Sequence, residues 1–132
     1  DYLVASTVNA ISAQRLVRLL CPSCKRPEAP PHAMQVRFAP LLEAGAPVAW
    51  CAAAGCEACR GTGYRGRMSL AEVMPMSPAI ETAILEKAPE SRLRSIARGE
   101  GMLTLFEEGV RAAAAGKTSL EEVFSVIGMD AP

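Results

Sequence analysis

Two Cys-x-x-Cys pairs, Cys21-Pro-Ser-Cys24 and Cys56-Glu-Ala-Cys59, stand in this chain with 31 residues between them. Each pair puts two thiols one tight turn apart, close enough to grip the same ion. Four thiolates at tetrahedral positions suit zinc in a closed structural site. The spacing therefore points to a staple before it points to a reaction, because no histidine or carboxylate is evidently offered as a reactive fourth position. A disulfide framework would need an oxidising compartment and usually an even count; here there are five cysteines and no export signal. Cys51, the odd one, is expected as a small buried hydrophobe, with ligand exchange with nearby Cys56 as the alternative. His32 is the only histidine and follows two prolines, Pro30 and Pro31, so a loop position is expected for it. A single histidine without an orienting neighbour builds no Ser/His/Asp or Cys/His constellation.

The elements that must position these thiols are read from composition and period. Half of the 132 residues are apolar, only 5% are aromatic, and the formal net charge is zero. A helical, alanine-packed core is expected, and the overall charge gives no electrostatic case for nucleic acid. No run approaches the roughly 18–20 apolar residues of a membrane-spanning helix. The opening Asp1-Tyr2-Leu3-Val4-Ala5-Ser6 has neither an initiating Met nor a signal-peptide pattern. It reads like the middle of a domain, and the chain is taken as a fragment.

From Thr7 to Leu20 the residue types predict a helix with a ragged apolar stripe (Val8, Ile11, Leu16, Leu19, Leu20), ended by Pro22. Residues 25–31 are a loop by composition. A short helix over Ala33–Ala44, divided by Pro40, and a strand over Pro47–Cys51 lead to the second cysteine pair. Glycines 61, 63 and 66 mark a turn-rich segment, and Arg67–Met74 reads as a strand. Four helices follow. Ser77-Pro78 is an N-cap with proline at the first helical position. Pro89 opens the second, with Leu93, Ile96 and Ala97 on one face. Thr104-Leu-Phe-Glu107 is a capping box, with Gly116 as the terminator. Thr118-Ser-Leu-Glu121 opens the last, where Leu120, Val123, Phe124 and Ile127 follow i, i+3, i+4, i+7, and Gly128 ends it.

Cys56-Glu-Ala-Cys59-Arg-Gly61-Thr-Gly63 matches the C-x-x-C-x-G-x-G unit of zinc-binding J-domain co-chaperones. Those carry four such repeats, whereas Cys21-Pro-Ser-Cys24-Lys-Arg-Pro-Glu is not a second copy. A longer resemblance covers most of the chain. It runs through Leu3-Val4-Ala5-Ser6, Ala13-Gln14-Arg15-Leu16-Val17-Arg18, Leu20-Cys21-Pro22-Ser23-Cys24 and Gly55-Cys56-Glu57-Ala58-Cys59. It continues with Gly61-Thr-Gly63-Tyr64-Arg65-Gly66-Arg67, Glu72-Val73-Met74, Gly101-Met102-Leu103-Thr104-Leu105 and Gly116-Lys117-Thr118-Ser119-Leu120-Glu121-Glu122-Val123. In that order these motifs resemble the C-terminal part of the ATPases that power type II secretion and type IV pilus assembly.

The resemblance implies an α+β fold, mainly helical. It divides the chain into the end of a RecA-like ATPase core at 1–20, a tetracysteine zinc lobe at 21–66, a core strand at 67–76 and a helical C-terminal lobe at 77–132. It assigns zinc to Cys21, Cys24, Cys56 and Cys59, which points to the assembly and secretion branch, and it sets Arg67 near the nucleotide of the full-length parent. ATP and magnesium belong to that parent alone. Its expected partners are the other subunits of a hexamer and the inner-membrane platform proteins, with a cytoplasmic location peripheral to a bacterial inner membrane. No G-x-x-x-x-G-K-[ST] occurs here: Gly116-Lys117-Thr118 lacks the glycine five positions earlier, where Arg111 stands. This chain alone is not expected to hydrolyse ATP. For Arg65 and Arg67 the competing reading is solvated charge; Arg15 and Arg18 read as interface or ion-pair residues. For the whole chain the rival is a free-standing zinc-binding interaction module, chaperone-like, with no ATPase parent.

Overall fold

The computed structural model describes residues 2–129. Asp1 and residues 130–132, the ends of the outermost segments expected above, lie outside the described residues. In chain order the elements are α1 (Tyr2–Thr7), β1 (Ala10–Leu20), β2 (Arg26–Pro27), α2 (His32–Phe38), β3 (Cys51–Ala52), β4 (Tyr64–Pro75), α3 (Pro78–Leu85), α4 (Glu90–Gly99), α5 (Leu105–Ala114) and α6 (Leu120–Ile127). The class is mixed α+β: among the described residues, six helices accompany two two-stranded sheets, β1 with β4 and β2 with β3.

The helix expected over Thr7–Leu20 is corrected to the strand β1. Gln, Arg and Leu favour helix only by tenths of a kcal/mol, and the ragged stripe offered no face for a helix to bury. Pairing with β4 satisfies the backbone instead. Its ends are marked by the Met76 N–H on the Asn9 carbonyl and the Cys21 N–H on the Gly63 carbonyl, each at 2.9 Å. The strand expected over Arg67–Met74 is present and longer, as β4. That over Pro47–Cys51 is reduced to the two-residue β3, whose Cys51 and Ala52 pair antiparallel with Pro27 and Arg26. The helix expected over Ala33–Ala44 is α2, tightening to a 3₁₀ turn at Ala39–Leu41 where Pro40 enters.

The chain forms two compact units: the chain up to Ala13 with Ala71–Thr104, and Gln14–Leu70 with the chain from Leu105 on. In the first, α1 packs on α3 and α3 on α4, burying Ala5, Ile80, Ala83 and Ala97. Ser77 caps α3 by accepting the Ile80 N–H, with Pro78 in the first turn. The core of the second unit gathers Phe38, Trp50, Phe106, Val110, Ala113, Ala114 and Val123. All three phenylalanines of the chain meet there, Phe106 at 5.8 Å from Phe38 edge-on and 6.3 Å from Phe124 stacked. Each such side chain fully buried contributes roughly 1.5–3 kcal/mol. Trp50, flanking the cysteine segment, belongs to this helical core. A smaller cluster, Val17, Leu70 and Ala112, fastens β1 and β4 to α5. Among the described residues no helix is long and apolar enough to cross a membrane.

Candidate metal centre

Both cysteine pairs lie in the second unit, at the ends of β1 and just before β4. β1 delivers Cys21 as it finishes at Leu20, and the Cys24 and Lys25 N–H groups turn back to the Cys21 carbonyl at 3.3 and 2.9 Å. That closes a tight turn around the first pair. The second pair brackets a 3₁₀ turn, Glu57–Cys59, which ends at Arg60 in the left-handed conformation (φ 54°). The Gly61 N–H then returns to the Cys56 carbonyl at 2.8 Å.

The four thiols converge. Their sulfurs all lie within 4.8 Å of one another. Cys21 Sγ is 3.8 Å from Cys56 Sγ, Cys24 Sγ is 3.9 Å from Cys59 Sγ, and Cys56 and Cys59 are 3.8 Å apart. Zinc–thiolate bonds of about 2.3 Å in a tetrahedron require sulfur–sulfur edges of about 3.8 Å, so the donor set fits such an ion. A disulfide needs about 2.05 Å, and all five cysteines are free. Cys21 and Cys59 are buried, Cys24 and Cys56 half-buried.

Backbone N–H groups point at the sulfurs, which is how a protein eases the charge of a thiolate cage. Gly63 donates to Cys59 Sγ at 3.1 Å, Cys56 to the same sulfur at 3.2 Å, and Gly55 to Cys24 Sγ at 3.3 Å. Gly63 has φ 83°, and a Cβ there would lie 2.6 Å from Ala53 Cβ; Gly55 has φ 118°, and its Cβ would meet the Gly61 carbonyl oxygen at 2.8 Å. Only glycine combines the positive φ with that close approach.

The same contacts separate the thiols chemically. Burial pushes Cys59 up, but the N–H groups of Cys56 and Gly63 and the neighbouring thiols overcome it and bring Cys59 down to about 6. Cys21 is likewise lowered, its burial outweighed by hydrogen bonds from the Ser23 backbone and from Cys56 and Cys24. Cys24 is pulled down by the Gly55 N–H, but burial and the hydrogens shared with Cys56, Cys21 and Cys59 carry it up to about 11. Such a set titrates as a group, and a bound cation would displace its remaining protons.

The other candidates fall outside the cluster. Cys51 is half-buried and donates from Sγ to the Ala49 carbonyl at 3.3 Å. His32 is exposed at the first turn of α2 rather than in a loop. Arg65 and Arg67 are exposed on β4. Gly55 as a donor to Cys24 was not legible in the spacing, because the bond joins residues 31 positions apart.

Residues 1–125 match the family of type II/IV secretion system proteins. The type IV pilus assembly ATPase PilB of Myxococcus xanthus is 36% identical over 137 residues, spanning 99% of this chain and 23% of that protein. The type II secretion system protein E of Aeromonas hydrophila is 35% identical over 133 residues, spanning 98% of this chain and 25% of that protein. The protein transport protein HofB homolog of Escherichia coli is 37% identical over 128 residues, 97% of this chain and 26% of that protein. The chain thus spans about a quarter of the length of these relatives. The motif order read along the sequence and this match agree: the chain belongs to the type II/IV secretion system protein family.

Proposed function

We propose that this chain is the zinc-stapled C-terminal part of a hexameric ATPase that drives type II secretion or type IV pilus assembly. Membership of the family supports the reading, together with relatives named as a type IV pilus assembly ATPase and a type II secretion system protein, which extend well beyond this chain. The observation that carries it is the convergence of Cys21, Cys24, Cys56 and Cys59 within zinc-binding distance. Zinc, when bound, supplies no reaction here. It fixes two turns at the ends of β1 and β4 in a lobe too small to hold them by burial alone.

On this reading the chain up to Leu20 and the strand at 67–76 continue a RecA-like core and residues 21–66 form the zinc lobe; of the helices that follow, α3 and α4 belong to one compact unit and α5 and α6 to the unit that holds the cysteines. The parent binds ATP and magnesium upstream, works in the cytoplasm against the inner membrane, and meets its own hexamer neighbours and the membrane platform. This segment transmits motion or contacts those partners. Arg67, exposed eight positions after Cys59 on β4, is the residue that reaches the nucleotide. A fixed guanidinium there would meet the charge that builds on phosphate oxygens during transfer.

The test uses the full-length parent assembled as hexamers. Arg67→Ala is expected to cut ATP turnover by roughly a hundredfold, the scale of losing one fixed charge-stabilising donor, with zinc content and folding unchanged. Arg67→Lys keeps the charge but not the two-pronged geometry and is expected to rescue in part. Wild-type turnover in the alanine variant would retire the nucleotide role and leave Arg67 as solvated charge.

A further inference from the structure

The two segments that carry the cysteines continue directly into residues that hold the turn between α5 and α6. Lys25, next to Cys24, donates from Nζ to the Gly116 carbonyl at 2.9 Å. Leu20, next to Cys21, donates its N–H to the Lys117 carbonyl at 2.9 Å, and the Arg18 carbonyl accepts from Thr118 Oγ1 at 2.7 Å. Tyr64, next to Gly63, shares a hydrogen bond of 2.6 Å between its hydroxyl and Ser119 Oγ. Each residue from Gly116 to Ser119 is therefore gripped by a residue within three positions of a cysteine or of the Gly63 that donates to one. Thr118 is fully buried and Ser119 only 5% exposed, whereas Lys25 and Lys117 are open to solvent. It passes into the last helix through Ser119 Oγ, which accepts the Glu122 N–H at 3.1 Å.

We propose that metal binding at the four cysteines braces the α5–α6 turn, so that α6 becomes ordered in step with the metal site. The inference rests on the zinc reading above. A thiolate cage is not organised in advance of its ion. Without the ion the two cysteine turns loosen, and Lys25, Leu20 and Tyr64 lose the positions from which they hold residues 116–119. α6 has eight residues, too few to stand without tertiary contacts. The metal site and α6 thus form one cooperative unit, and α3 and α4, in the other compact unit, lie outside it.

Amide hydrogen exchange of the whole chain tests this, comparing zinc-loaded protein, chelator-stripped protein and stripped protein with zinc restored. Amides of residues 116–127 are expected to exchange at least about tenfold faster after stripping and to recover with zinc, while α3 and α4 change by less than about twofold. Tyr64→Phe removes only the hydroxyl bonded to Ser119. In zinc-loaded form it is expected to speed exchange in 116–127 by roughly fivefold, the worth of one hydrogen bond, with zinc content unchanged. Unaltered protection of 116–127 on stripping, equal loss in α3 and α4, or no effect of Tyr64→Phe would overturn the coupling. Zinc content is measured first. Folded protein without zinc sinks the zinc reading and the brace together; a zinc-holding protein with a metal-indifferent α6 sinks the brace alone.

Discussion

Arg18 on β1 holds Glu122 on α6 from two directions, although 104 positions separate them. Its guanidinium bonds both carboxylate oxygens, at 2.9 and 3.1 Å, and its own backbone N–H reaches Oε2 at 2.7 Å. The carboxylate is nearly buried, at 4% exposure, whereas the arginine side chain is half open at 52% and lies over the Tyr64 ring. One partner is thus desolvated and the other is not. Removing Glu122 leaves no charge buried alone.

This asymmetry sets a pH dependence. Burial pushes the Glu122 carboxyl up, but the hydrogen bonds and charge of Arg18 outweigh it and hold the carboxyl below its ordinary value. A depressed carboxyl contributes stability that is present above the unfolded value, about 4.3 for glutamate. That stability is lost as the pH falls through the lower folded value. Glu122→Gln is expected to cost about 1–2 kcal/mol at neutral pH, discounted from a buried charged hydrogen bond because Arg18 is solvent-screened. Denaturant unfolding across pH 2 to 7 checks it. The gap between wild type and variant should close in the acid range, and a constant gap at every pH would contradict the ion-pair account.

Gly63 answers to two constraints at once, its positive φ and the 2.6 Å approach of a would-be Cβ to Ala53. Left-handed backbone costs a non-glycine residue about 1–2 kcal/mol, and overpacking adds roughly 1–3 kcal/mol. Gly63→Ala is therefore expected to destabilise the second unit by about 2–4 kcal/mol and to weaken metal retention, since the Gly63 N–H is aimed at Cys59 Sγ. Denaturant unfolding and zinc competition with a colorimetric chelator measure both effects. Wild-type behaviour in both would show that the turn relaxes freely.

What the sequence made legible was local. The Cys-x-x-Cys pairs announce themselves because two residues can bracket one tight turn only by geometry. Ser77 before Pro78 reads directly as the cap it is. The stripe Leu120, Val123, Phe124, Ile127 reads as a helix because its period is carried by adjacent residues. Within the Thr118-Ser-Leu-Glu121 motif that opens it, Ser119 is the cap and takes the Glu122 N–H, while Thr118 turns its hydroxyl to the Arg18 carbonyl. β1 does not show itself as a strand in the sequence, because what makes it one is β4, some fifty residues later. Its own burial pattern, exposed along most of its length with Val17 and Leu20 inside, shows no clear alternation. Arg18 reads as an interface or ion-pair residue, but the sequence names neither Glu122 nor Tyr64 as its partner. Those contacts depend on how the turn after α5 meets β1, which no local pattern encodes.

The metal content of freshly purified, tag-free protein tests the central claim most directly. Sulfur–sulfur distances of 3.8 and 3.9 Å with N–H groups aimed at two of the four thiols describe a cage of the size that one zinc ion requires. Inductively coupled plasma mass spectrometry is expected to find close to one zinc per chain, and Cys56→Ser is expected to lose it. A zinc content near zero in protein that unfolds cooperatively, or an undiminished content in the Cys56→Ser variant, would contradict the account.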